Sequence, residues 1–121
     1  MANMLDGFIS VPSDGLPFIT LDSQRRFYLN AATRKFIGVS PYERLALRYN
    51  PDTRSIAIQR GKAAEADSTS VYCVDKRYYM SARKFVAQFR YDVAKAPFTF
   101  EYDRGSSDGE IFVFRLVERA S

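Results

Sequence analysis

Adjacent pairs of basic residues are the feature of this 121-residue chain with the clearest chemical potential. Four such doublets occur, and they hold eight of the 18 lysines and arginines. They are Arg25-Arg26, Arg34-Lys35, Lys76-Arg77 and Arg83-Lys84. Clustered cations attract phosphates, and an arginine can donate two hydrogen bonds to a guanine edge. A lone doublet is usually solvated surface, so it is the regular placement of all four that favours a nucleic-acid interface.

Residues suited to catalysis are scarce. The chain has no histidine and one cysteine, so the commonest general base, the usual zinc sites and a Cys–His dyad are missing. Neither phosphate-binding glycine pattern, G-x-x-x-x-G-K-[ST] or G-x-G-x-x-G, occurs, and the acidic residues are scattered singly. We therefore predict a protein that is not an enzyme, with no catalytic residues, no metal site and no cofactor.

Two adjacent tyrosines, Tyr78 and Tyr79, follow the third doublet directly. Side chains alternate between the two faces of a strand, so one of this pair must face outward. We predict that it serves as an interface aromatic, either stacking on a single-stranded nucleic acid or anchoring a protein contact. Most other aromatic residues stand at strand spacing, which favours a place in the core.

A tandem repeat positions these residues. Residues 18–60 and 71–116 each begin with a β-type run that ends in aspartate, Asp22 or Asp75, followed by a basic turn and an aromatic run. A short helix-compatible segment and two further β-type runs complete each unit. Aligning the units also matches Tyr28 with Tyr79, Asn30 with Ser81, and Tyr49 with Tyr102.

The helical segments carry start and stop signals. Asn30 and Ser81 are suitable N-caps because their side-chain oxygens can accept a free backbone N–H. Gly38 supplies a stop, which limits the first helix to about two turns. The second helix is expected from Ala82 to about Arg90. Each unit thus has one doublet in its first turn and one on its helix.

The predicted organisation is an N-terminal arm (residues 1–17), a first unit (18–60), a small polar linker (61–70), a second unit (71–116) and a tail (117–121). One hairpin and a two-turn helix cannot close a core alone, so the two units must share one. The predicted fold class is mainly β with short helices (α+β). The expected shared core includes Leu21, Leu29, Ile37, Leu47, Ile56, Val74, Phe85, Phe89, Phe100 and Val113.

The first unit resembles the AbrB/MazE swapped-hairpin family. The segment LNAATRKFIGV, Leu29 to Val39, and the hydrophobic hairpin after it carry the resemblance. Asn30 stands where the family commonly has proline, and the family's glycine in the first turn is absent. The resemblance implies a swapped-hairpin β-barrel formed by two interleaved strand–helix–hairpin units, here a pseudo-dimer within one chain. It also implies DNA binding through arginines of the turn and the first helix.

The leading interpretation is a double-stranded DNA-binding transcription regulator of AbrB type. One alternative is a small protein, of the kind phages and mobile elements encode, that binds and inhibits a host protein through the same fold. A third is an antitoxin-like component, which the lack of a long acidic tail disfavours. We expect a monomer, with higher assembly through outer strands possible. No apolar run approaches the roughly 20 residues of a membrane span, and a single cysteine suits the cytoplasm.

Overall fold

The computed structural model describes Met4, Asp6, Gly7 and residues 16–60, 71–105 and 110–117. The predicted linker and most of the predicted arm and tail lie outside the described residues. Within the described ranges the chain forms eight strands and two α-helices, which confirms the mainly β class with short helices. In order they are β1 (Phe18–Leu21), β2 (Arg26–Leu29), α1 (Ala31–Ile37), β3 (Arg44–Asn50), β4 (Ser55–Gln59), β5 (Val71–Cys73), β6 (Tyr79–Ser81), α2 (Arg83–Phe89), β7 (Phe98–Tyr102) and β8 (Ile111–Leu116). A 3-10 turn, Val93–Lys95, precedes β7.

The eight strands form one antiparallel sheet in the order β5-β3-β4-β8-β7-β1-β2-β6. The two end strands, β5 and β6, lie in contact without a ladder, so the sheet is a nearly closed barrel. Four of the pairings join one unit to the other: β1 with β7, β3 with β5, β4 with β8, and β2 with β6. In the two units β1 corresponds to β5, β2 to β6, β3 to β7 and β4 to β8. Exchanging each strand for its counterpart reproduces these four pairings.

The strand register shows which residues correspond. At the centre of the β2–β6 pair Phe27 lies opposite Met80, so these two residues are equivalent, and Arg26 corresponds to Tyr79. The predicted match of Tyr28 with Tyr79 was therefore wrong by two residues, as was that of Asn30 with Ser81. A shift of two keeps every side chain on the same face, so periodicity alone could not detect the error. The aspartates Asp22 and Asp75 do correspond.

The third strands show the same two-residue error. Arg44 of β3 lies opposite Cys73 of β5, and at the equivalent place Thr99 of β7 lies opposite Thr20 of β1. This register makes Leu47, and not Tyr49, the counterpart of Tyr102.

The core fills the inside of the barrel with aromatic and branched side chains. Phe27, Phe100 and Phe114 are each at most 1% exposed, and Phe85 and Val86 of α2 are buried above them. Of the predicted core residues, Phe89 and Val113 are only half-buried. Phe89 packs against the half-buried ring of Tyr49, with centroids 4.4 Å apart, and Val113 lies on the face of β8 opposite Phe114. The other eight are buried.

Both predicted helices are present, and the second, expected from Ala82 to about Arg90, spans Arg83–Phe89. The predicted N-cap was correct in the first unit and wrong in the second. Asn30 caps α1, because its Oδ1 accepts a 2.9 Å hydrogen bond from the Thr33 amide, and Gly38 ends it at φ 82. Ser81 lies in β6 instead, and Ala82, which has no capping side chain, precedes α2. Helix α2 ends at Phe89, and the next residue, Arg90, adopts the left-handed conformation at φ 57 without being glycine.

Candidate nucleic-acid interface

Two turns of the same shape present the basic residues that precede β2 and β6. In the first, Asp22 Oδ1 accepts hydrogen bonds of 2.9 Å from the amides of Gln24 and Arg26. In the second, Asp75 Oδ1 accepts from the residues at the same two offsets, Arg77 at 2.8 Å and Tyr79 at 3.0 Å. An aspartate that binds its own following backbone is a turn device that defines the shape of the loop. Each turn is therefore built to hold a fixed conformation.

Backbone hydrogen bonds join each turn to the helix start of the other unit. The Ala82 amide, just before α2, donates to the Arg25 carbonyl oxygen at 2.8 Å. The Leu29 amide, close to the start of α1, donates to the Tyr78 carbonyl oxygen at 3.1 Å. The first turn thus lies beside α2 and the second beside the start of α1, at opposite ends of the β2–β6 pair.

We call this surface the β2–β6 face. It comprises the outward residues of β2 and β6, the two turns between the aspartates and those strands, Arg34 of α1 and Arg83 of α2. Lys35 and Lys84 are exposed on the same two helices. A groove of about 560 Å³ runs along part of it. Arg25 and Arg26 from the first turn and Arg83 from α2 line this groove together. Its other lining residues are Gln24, Asp75, Tyr79, Met80 and Ser81.

Two arginines and three tyrosines form a stack across the middle of the face. The Arg26 guanidinium lies 4.2 Å from the Tyr79 ring centre, and the Tyr79 ring lies 4.9 Å from that of Tyr28. Arg34 continues the series, 5.9 Å from Tyr28 and 4.2 Å from the ring centre of Tyr78. Such contacts stabilise a cation by about 0.5–1 kcal/mol at exposed sites and more when water is excluded. We refer to these five residues as the Arg–Tyr stack.

The stack holds its two arginines in place. Arg26 also pairs with Asp22, with 2.9 Å between Nε and Oδ2. Arg34 has a buried Nε without a hydrogen-bond partner, and its Nη2 lies 3.5 Å from the Tyr28 hydroxyl. Arg34 is therefore oriented by the aromatic rings more than by hydrogen bonds. Since guanidinium groups already contact these rings, the tyrosines do not form a bare platform for stacked bases.

The eight predicted binding residues divide into two groups by exposure. Six are exposed, while Arg26 and Arg34 are partly buried in the stack. The exposed group is Arg25, Lys35, Lys76, Arg77, Arg83 and Lys84. Two carboxylates, Asp22 and Asp75, lie in the same two turns. Cations therefore outnumber acids here, which gives the face a positive charge.

The helix doublets do not occupy equivalent positions. Arg83 and Lys84 open α2, whereas Arg34 and Lys35 lie in the last turn of α1. The first turn of a helix favours acidic residues because of the helix dipole, so the α2 doublet brings no stability to its own helix.

Of the predicted interface aromatics, Tyr79 lies on β6 on the same side as Arg26, facing away from buried Met80. Tyr78 sits in the turn at φ 66 and packs partly against the core. Both are half-buried. Sequence reasoning did not identify Gln24 and Tyr28 as members of the site. Alternation along β2 places Tyr28 on the same face as Arg26, but Tyr79 became its neighbour only through the pairing of the two units.

No protein-family model, curated protein or solved structure matches the chain. Among the described residues, no helix has both the length and the apolar character needed to cross a membrane. The same residues contain no group of three or more histidine, cysteine or acidic side chains placed to hold a metal ion. The β2–β6 face is thus characterised by its own geometry and charge.

Proposed function

We propose that the chain binds duplex DNA through the β2–β6 face and acts as a transcription regulator of AbrB type. The pair of backbone bonds Ala82 to Arg25 and Leu29 to Tyr78 is the observation that carries this proposal. These bonds tie each basic turn to the other unit's helix start, so cations from both units share one surface. An AbrB-like swapped-hairpin topology is part of the proposal, and the β1–β7 and β3–β5 pairings support it.

The exposed and the stacked cations have different roles in this proposal. The exposed lysines and arginines bind phosphates, which supplies affinity without sequence preference. Arg25 and Arg83 share a groove with Gln24, and these side-chain types form paired hydrogen bonds with guanine and adenine edges. Arg26 and Arg34 are positioning residues, which keep the two turns in register through the Arg–Tyr stack.

A protein partner is the second candidate function, and a different surface favours it. Phe36 of α1 is 48% exposed, and its ring lies 4.7 Å from that of Tyr102 and 5.6 Å from that of Phe112. Exposed aromatic clusters are typical of protein interfaces. This cluster supports the alternative of a small protein that binds and inhibits a host protein. An antitoxin-like role has no comparable observation in its favour.

Charge-neutralising variants with matched controls test the DNA proposal. The test variant changes Arg25, Lys76, Arg77 and Arg83 to alanine, and the control changes Arg48, Lys95, Arg104 and Arg115. Each removes four positive charges, which takes the net charge from +4 to zero. Fluorescence anisotropy with a labelled duplex and the matching single strand measures affinity.

We expect the wild type to bind the duplex more tightly than the single strand. The test variant should lose roughly 100-fold in duplex affinity near 0.1 M salt, because four cations that contact phosphates or base edges disappear. The control should stay within about threefold of the wild type. Equal losses in the two variants would mean that net charge alone drives binding. Two results together would favour the second candidate. The wild type would show no binding to DNA, and Phe36→Ala would abolish its binding to a purified host protein.

A further inference from the structure

We propose that the DNA target of this chain is non-palindromic, with two arms that are read by different side chains. This inference rests on the proposed function, since it concerns the ligand of the same face. It follows from the strand register, which identifies the residues that a twofold axis through the barrel would exchange. Those residues differ in chemistry at nearly every exposed position of the face.

The register and the turn geometry agree on the correspondence. The pairing of Phe27 with Met80 places the pseudo-twofold axis between these residues. The two aspartate-capped turns have their left-handed residue at the same position, Arg25 at φ 61 and Tyr78 at φ 66. The reciprocal bonds, Ala82 to Arg25 and Leu29 to Tyr78, also obey this correspondence. Three separate features therefore give one alignment.

Side chains at corresponding positions of the turns are unlike. Gln24 corresponds to Arg77, so an amide that can pair with adenine faces one arm and a guanidinium faces the other. Arg25 corresponds to Tyr78, which packs on the core and is half-buried. The two turns therefore present different hydrogen-bonding groups to whatever they contact.

The helix starts are unlike as well. Both helices have seven residues and end in a left-handed residue, Gly38 or Arg90, so their positions correspond one to one. Counted from these ends, Ala31 is the counterpart of Arg83 and Ala32 that of Lys84. This match differs by one residue from the strand register, in which Leu29 corresponds to Ala82, because the first unit has one additional residue, the cap Asn30, before its helix. The groove lined by Arg83 beside Gln24 and Arg25 thus contains a cation that the other half replaces with a methyl group.

Charge is nevertheless balanced between the halves. The first turn and α2 contribute three cations to the face, Arg25, Arg26 and Arg83. The second turn and α1 also contribute three, Lys76, Arg77 and Arg34. Both halves can therefore bind phosphates, which are related by a dyad in any duplex. They cannot read the same bases, because the groups aimed at base edges lack that dyad.

Protein symmetry normally appears in the target, since a dimer of identical subunits binds a palindrome. A single chain with a symmetric backbone and dissimilar reading residues removes that requirement. The expected target is a duplex whose two arms have unrelated sequences at the spacing set by the two turns. Gln24, Arg25 and Arg83 specify one arm, and Arg77 specifies the other.

Selection from a random duplex pool, with the full chain as bait, tests this inference. The enriched site is then compared with two palindromic duplexes, each made by replacing one arm with the inverted copy of the other. We expect an enriched site without dyad symmetry. Each palindrome should bind at least about 10-fold more weakly than the enriched site, as one or more mismatched base pairs would cause. Gln24→Ala should relax the preference in one arm only, and Arg77→Ala should relax it in the other.

Each remaining outcome has a distinct meaning. A palindromic enriched site, equal binding of the palindromes, or sequence-independent binding would overturn this inference and leave duplex binding intact. The inference would also be overturned if Gln24→Ala and Arg77→Ala lost the same base preferences. Failure to retain any duplex from the pool would overturn the proposed function itself. Thermal unfolding of both variants verifies that they fold.

Discussion

The Arg25 carbonyl oxygen accepts a 2.8 Å hydrogen bond from the Ala82 amide, which ties a basic turn of the first unit to the helix of the second. The reciprocal bond joins Leu29 and Tyr78 at 3.1 Å. Neither half of the β2–β6 face can therefore form from one unit. Folding of the shared barrel and assembly of the proposed interface are a single event.

Removing the charge of Asp22 should strengthen DNA binding without loosening the first turn. In Asp22→Asn the side-chain oxygen still accepts from the Gln24 and Arg26 amides, while the negative charge and the ion pair with Arg26 disappear. We expect duplex affinity to rise about two- to tenfold because one like-charged group no longer repels phosphate. Stability should change by less than about 1 kcal/mol, the usual range for a partly exposed pair.

Asp52→Asn is the matched control for that variant. Asp52 is exposed in the turn between β3 and β4, and neither strand pairs with β2 or β6. Both substitutions remove one negative charge, so the two variants differ only in where the charge is removed. Anisotropy titrations should show a smaller gain in duplex affinity for Asp52→Asn than for Asp22→Asn. A larger gain for Asp52→Asn than for Asp22→Asn would place the interface elsewhere.

Arg90 and Gly38 occupy the same position after the ends of the two helices, and substituting them should change stability in opposite directions. Arg90→Gly should stabilise the protein by about 0.5–1 kcal/mol, because a left-handed residue with a side chain is strained. Gly38→Ala should destabilise it by about 1–2 kcal/mol. An added Cβ would lie 3.3 Å from Arg60 Nη1, at φ 82. Urea unfolding measures both changes, and a less stable Arg90→Gly variant would show that Arg90 makes a compensating contact.

Acid should weaken the link between Glu43 and Arg60. Arg60 donates from Nε to Glu43 Oε2 at 2.6 Å and from Nη2 to Oε1 at 3.0 Å, and it also binds the Ile37 carbonyl oxygen at the end of α1. Partial burial raises the pKa of Glu43, but hydrogen bonds from Arg60 and the Ser40 amide outweigh it and bring the pKa below its ordinary 4.5.

A group whose pKa falls on folding stabilises the protein above its unfolded-state pKa and loses that effect as pH drops through the folded-state value. Wild type should therefore be about 1 kcal/mol more stable than Glu43→Gln at pH 7. The gap should narrow as pH falls below about 4.5 and close once pH is below the lower folded-state pKa, where the carboxylate becomes protonated. Urea unfolding at pH 7 and pH 3.5 gives the two differences. An unchanged gap would mean that charge has no part in this contact.

The unfolding midpoint should not depend on protein concentration. The chain supplies all eight strands of the barrel, so no second copy is needed to complete the core. We expect the same urea midpoint across a 100-fold range of concentration, together with a monomeric mass by sedimentation. A midpoint that rises with concentration would reveal a folded state that requires association.

Much of the fold could be predicted from local signals. The Asn30 cap, the Gly38 stop and the strand at Phe18–Leu21 all depend on neighbours in sequence, and the structure contains them. Register between the units could not be predicted, because a slip of two residues preserves the alternation of Tyr28 and its neighbours. The Arg–Tyr stack was missed for the same reason, since Arg26 meets Tyr79 only through the β2–β6 pairing.

The dependence of duplex affinity on salt tests the central claim most directly. Each phosphate contact contributes about 0.9 to the slope of log K against log salt concentration. The Arg25, Lys76, Arg77 and Arg83 quadruple alanine variant should therefore have a slope shallower than wild type by at least about one, from Lys76, and by more for each of the three arginines that also neutralises a phosphate. The Arg48, Lys95, Arg104 and Arg115 variant, with the same net charge, should retain the wild-type slope. Equal slopes for all three proteins would contradict DNA binding through the β2–β6 face.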